Sequence, residues 1–105
     1  MIKMAESLSV IKVICLTITL FYMEKRDTYK YELTRGNKVV YVGTTKNPER
    51  REQEHRQNKN FDKMRLVGNV STQSGALQWE TGRIQTYMQN HGGKTPEYNK
   101  NEHGK

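Results

Sequence analysis

The sequence predicts an α+β fold, a small sheet flanked by helices, and three observations carry that reading. Two short strand-like runs enclose a Gly-Asn turn within residues 29–42. A helix start, Asn47-Pro48, follows them. A longer amphipathic stretch then occupies residues 74–90.

The first run alternates Tyr29, Tyr31 and Leu33 against Lys30, Glu32 and Thr34, the period of a strand with one wet face. Gly36 and Asn37 tolerate the backbone angles of a tight turn, and Val39–Val42 is β-branched and aromatic, so residues 29–42 form a hairpin. Asn47 caps a helix and Pro48 occupies its first position. That helix is predicted to run to Asn58, yet it holds no apolar residue after Pro48, so it must lie on the surface without an apolar stripe. Residues 64–70 form a third strand. The second helix spans Ser74 to Asn90, with Leu77, Ile84 and Met88 on its inward face and Ala76, Trp79 and Tyr87 beside it. Glu80 shares that face. His91-Gly92-Gly93 ends the helix, and a polar tail closes the chain at residues 100–105.

Upstream, residues 8–23 are the one strongly apolar stretch. It is short for a membrane span, which needs about 20 apolar residues, and Lys12 interrupts it. No small-residue cleavage site follows, so it does not resemble a signal peptide. The readings left are a leader ahead of a start at Met23, or an added strand, helix or membrane contact within an N-terminal extension of residues 1–28. A membrane partner is not expected.

The chain carries 18 Lys and Arg against 11 Asp and Glu, a formal charge of +7. Only Lys3, Glu6 and Lys12 are charged in residues 1–22, so the positive field belongs to the folded part. Such a field favours phosphate-bearing partners. A lone Cys15 within the apolar run excludes a disulfide framework and a cysteine-based zinc site, and a reducing, cytoplasmic setting is expected.

Glu80 is the most informative residue, because a carboxylate on an apolar face is costly unless paired, protonated or metal-bound. An ion pair with an arginine such as Arg51 or Arg83, or a helix rotated so that Glu80 is wet, is the ordinary explanation. The hairpin places Tyr31 and Tyr41 near one another, one on each strand, and Arg51 and His55 are four apart on one helix face. Strand tyrosines are usually packing residues, and a charge run such as Arg50, Glu54 and Arg56 is usually a solvated surface.

In order, however, these residues resemble a known pattern. Tyr29-Lys30-Tyr31, and ten residues on Tyr41-Val42-Gly43, is similar to the paired tripeptides of the GIY-YIG endonuclease family. Arg51 stands ten residues past Tyr41 and His55 four further. Ala76-Leu77-Gln78-Trp79-Glu80 resembles the helix with that family's metal-binding Glu, and Pro96-Glu97-Tyr98-Asn99 its closing segment. The resemblance covers residues 29–99 and departs at three points. The first tripeptide lacks Gly, Pro48 and Glu52 replace apolar residues of the first helix, and no DNA-specificity domain is recognisable.

The resemblance implies a three-stranded antiparallel sheet flanked by helices and a small nuclease cutting DNA with Mg²⁺ or Mn²⁺, RNA not excluded. It implies that Glu80 holds the metal, Tyr31 helps deprotonate water, His55 shares that proton and Tyr41 orients the water. Arg51 would clamp the phosphate, and Asn99 would orient a phosphate or shape the pocket. Lys46, Arg50, Arg56, Lys59 and Lys63 suit backbone contacts that position without specifying. Low sequence specificity is therefore expected, or specificity supplied by a homodimer mate or separate partner. A catalytically silent nucleic-acid-binding relative is the competing reading.

Overall fold

The computed structural model describes residues 24–100, so the apolar run and all of the final tail but Lys100 lie outside the described residues. Strand β1 (Thr28–Arg35) is the centre of an antiparallel sheet, with β2 (Lys38–Thr45) on one side and β3 (Lys63–Ser71) on the other. The expected α+β architecture is present. The hairpin turn uses Gly36 at φ 63°, a left-handed angle that glycine adopts without steric cost. A register shift between Leu33 and Thr34 marks a bulge in the β1–β2 ladder.

Helix α1 (Pro48–Arg56) follows β2. The Asn47 side chain accepts a hydrogen bond from the Arg50 amide at 3.1 Å, as an N-cap should. The helix stops two residues earlier than predicted, and the amides of Asn58 and Lys59 both close on the His55 carbonyl. Helix α2 (Gln73–Asn90) is capped by Thr72, whose hydroxyl accepts from the Gly75 amide.

Pairing across the sheet separates its two faces. Tyr31 lies opposite Gly43 and Leu66, and Leu33 opposite Tyr41 and Met64, so these side chains share one face. Tyr31, Leu33, Val40, Tyr41 and Phe61 form a buried cluster, with Met64 and Tyr98 packed against it. Glu32, one residue on from Tyr31, points to the other face. Helix α2 packs on β1 and β2, and its Arg83 donates to Glu32 at 2.6 Å.

Two expectations need correction. Glu32 is buried rather than wet, bonded by Arg83 and by Arg65 of β3. The side chains alternate as expected, but the second face is not wet, because this sheet is covered on both faces. The inward stripe of α2 is Ala76, Glu80, Ile84 and Tyr87, while Leu77 is 47% exposed. At about 100° per residue this arc is centred near Glu80, and small Ala76 lets the helix approach where Leu77 had been expected.

Candidate active site

The site grows from the close packing of two strands and one helix. A side chain added at Gly43 would lie 2.7 Å from the Tyr31 hydroxyl and 2.7 Å from the Tyr41 ring. Glycine in Tyr41-Val42-Gly43 is therefore the gap into which both tyrosines fold. Their ring centroids are 6.0 Å apart. Above them sits His55, the one buried residue of α1, 2% exposed. Its ring centroid lies 4.9 Å from that of Tyr41, and Phe61 meets it edge-on. A helix without an apolar stripe thus buries a single imidazole among three aromatic rings.

The Tyr31 hydroxyl and His55 Nε2 are 2.6 Å apart, a short buried hydrogen bond. Burial pushes the Tyr31 phenol well above its ordinary value, and the neighbouring Tyr41 adds to this while Arg51 opposes it. Burial, with Lys59 and Arg51 nearby, lowers His55 to about 4. The pair is therefore a neutral phenol and a neutral imidazole through the physiological range. Arg51 is held in its charged form chiefly by its hydrogen bond to Glu54, and also by Tyr31. Its Nη1 donates to Glu54 at 2.9 Å, with both side chains nearly half exposed.

The structure therefore gathers Tyr31, Tyr41, Arg51 and His55 into one cluster. Asn99 is buried beside it, both ends of its side-chain amide bonded to the backbone of Val42. The Val42 amide donates to Asn99 Oδ1 at 2.9 Å, and Asn99 Nδ2 donates to the Val42 carbonyl at 3.0 Å. This bond ties the closing segment to β2 between Tyr41 and Gly43.

Glu80 comes from the helix on the Glu32 side of the sheet. It is 6% exposed, lies on the stripe with Ala76, Ile84 and Tyr87, and is partnered. The two arginines that the sequence offered it bond other carboxylates, Arg83 to Glu32 and Arg51 to Glu54. Among the described residues, no three His, Cys, Asp or Glu side chains gather into a metal-holding group. One carboxylate fits a hard cation of the Mg²⁺ type, which keeps several waters and takes other oxygens from a phosphate.

The five basic residues predicted to contact a nucleic-acid backbone differ in their freedom. Lys46 lies 3.7 Å from Asp27 and Arg50 3.7 Å from Glu54, both at the surface. Lys63 is exposed at the start of β3. Lys59 sits over the ring of Tyr41. Arg56 is committed to the fold: it bonds Glu52, the carbonyls of Phe61 and Asp62, and lies 4.2 Å from the Phe61 ring centroid. The sequence assigns Phe61 no role and places Tyr98 only within the closing segment. The available signal was an isolated aromatic in each of two polar loops.

The model of the GIY-YIG catalytic domain family matches residues 28–99. The chain belongs to the GIY-YIG family. No curated protein and no solved structure gives a match. Membership in this nuclease family agrees with the cluster: the two tyrosines, the arginine and the histidine of the paired-motif pattern meet on one sheet face. No helix among the described residues is long and apolar enough to cross a membrane.

Proposed function

We propose that the chain is a divalent-metal-dependent endonuclease that hydrolyses DNA phosphodiester bonds with low intrinsic sequence specificity. The observation that carries this reading is the 2.6 Å contact between Tyr31 and His55, set beside Arg51. A phenol with a raised pKa is a poor base on its own. A phenol that donates to a neutral imidazole is a relay. Water would pass its proton to the Tyr31 oxygen as the Tyr31 proton moves to His55 Nε2. The water oxygen then bonds to phosphorus, the P–O bond to the leaving oxygen breaks, and that oxygen takes a proton from solvent. Tyr41, packed against both partners, orients the water. Arg51 clamps the phosphate with its planar guanidinium. Asn99 acts as a positioning residue, fixing the backbone on which Tyr41 and Gly43 stand.

Glu80 enters from the opposite sheet face to the Tyr31–His55 pair, so the phosphate is placed at the edge strand β2, which both faces share, and Glu80 is assigned to hold the cation, Mg²⁺ or Mn²⁺. When bound, it would neutralise charge on the phosphate and stabilise the leaving oxygen. Lys46, Arg50, Lys59 and Lys63 are assigned to the nucleic-acid backbone. Arg56 is given a structural role, because its contacts are internal.

The silent-relative reading has one observation in its favour, the bond from Arg51 to Glu54. An exposed pair of this kind contributes at most about 1 kcal/mol, so a phosphate displaces Glu54 readily. Cleavage of supercoiled plasmid by the full chain tests the choice. Nicked or linear product is expected with Mg²⁺, and none with EDTA or in Glu80→Gln. Tight binding without cleavage in Mg²⁺ and Mn²⁺ would favour the silent relative.

A further inference from the structure

Lys59 is placed with more care than a general backbone contact requires. Its amide donates to the His55 carbonyl at 2.8 Å, which fixes it at the end of α1. Its Nζ lies 5.3 Å from the Tyr41 ring centroid and 5.9 Å from that of Tyr98, and donates to Asn58 Oδ1 at 3.2 Å. The Tyr98 hydroxyl accepts from the Asn60 amide at 3.0 Å, so the loop carrying Lys59 is tied to the closing segment. The Tyr98 amide in turn donates to the Val40 carbonyl. An ammonium set between two aromatic faces is held electrostatically while its charge stays available.

The nearby carboxylates are already engaged. Glu52 pairs with Arg56, Glu54 with Arg50 and Arg51, and Glu97 with Arg35 and Lys38. Partial burial lowers the Lys59 pKa, and the positive charges of Arg51 and Lys100 lower it further. Cations gathered in this way repel one another until an anion arrives.

We propose that Lys59 holds a second backbone phosphate of the nucleic acid, next to the one at Arg51, and that Tyr41 and Tyr98 form the cradle that aims it. Tyr98 is then a positioning residue. This inference rests on the nuclease reading and adds a second anchor to it. Gripping a phosphate outside the reacting bond fixes the strand's path and orients the scissile group.

The test is fluorescence anisotropy of labelled duplex DNA on the full chain, in EDTA so that binding is read without cleavage, across salt concentrations. Lys59→Gln should weaken binding on the order of three- to tenfold and reduce the log–log salt slope by about 1, one phosphate contact. Tyr98→Leu should weaken binding similarly in the native background and have no further effect in Lys59→Gln. Tyr98→Phe keeps the ring but loses the tie to the Asn60 amide, so its loss should fall between wild type and Tyr98→Leu. A loss as large as that of Tyr98→Leu would overturn the role of the ring. Wild-type affinity and slope in Lys59→Gln would overturn the subsite, as would a Tyr98→Leu effect that persists without Lys59. A native chain that neither cuts with Mg²⁺ nor binds in a salt-sensitive way would overturn the nuclease reading, and this subsite with it.

Discussion

The two helices solve the same docking problem in opposite ways. Helix α2 has 18 residues and buries a stripe of Ala76, Glu80, Ile84 and Tyr87. Helix α1 has nine residues, no apolar side chain after Pro48, and buries only His55. On α2 a polar residue of functional interest sits within a hydrophobic interface. On α1 the functional residue is the interface. The contacts that hold α1 on the sheet, His55 with Tyr31, Tyr41 and Phe61, are largely those that the proposed chemistry uses. Stability and activity should therefore separate cleanly on α2 and only with difficulty on α1.

The largest stability effect should come from the ordinary interface. Ile84→Ala removes a fully buried side chain from α2 and should cost about 2–5 kcal/mol. Leu77→Ala, about two turns away on the exposed flank, should stay within about 0.5 kcal/mol. Urea unfolding of both variants checks the corrected stripe. Equal losses would restore the face first expected from the sequence.

A smaller effect probes α1 through pH. The folded chain holds His55 neutral down to about 4, whereas an ordinary histidine protonates near 6.5. Between these values the unfolded chain binds more protons, so stability rises with pH across that window. Acidification through it should cost about 2 kcal/mol. Glu54 and Glu97 are held below the usual carboxylate range by Arg51 and Arg35, so their contributions fade only at lower pH. Thermal melts between about pH 5 and 6.5 therefore separate His55 from these carboxylates, and the slope should flatten in His55→Gln. The smallest effect concerns Arg51. Glu54→Gln removes its competing partner and should tighten DNA binding by up to about fivefold, consistent with an exposed pair. Weaker binding in that variant would show that Glu54 aims Arg51 rather than competes for the guanidinium.

Much of this architecture was legible before the structure. The alternation in Tyr29–Thr34, the glycine turn and the Asn47-Pro48 cap are local signals, and each lies where backbone chemistry put it. The order of Tyr31, Tyr41, Arg51, His55 and Glu80 marked the family. What stayed hidden depends on long-range packing. Glu32 obeys the strand alternation but meets Arg83 and Arg65 from distant segments. Phe61 stands alone in a polar loop, with nothing beside it to announce that it closes over His55. Asn99 was suggested by a loose motif, and only the fold shows that both ends of its amide are spent on Val42. The docking of α1 was invisible to any count of apolar residues, because an imidazole serves as the anchor.

The most direct test of the claim that the docking contact of α1 is also the proton relay is His55→Gln. Glutamine keeps an acceptor for the Tyr31 hydroxyl but has no basic nitrogen. Plasmid cleavage in Mg²⁺ should fall on the order of 10²–10⁴-fold, with the melting temperature at pH 7.5 lowered by only a few degrees. Cleavage within threefold of wild type in a folded His55→Gln chain would contradict the account and leave His55 a packing residue.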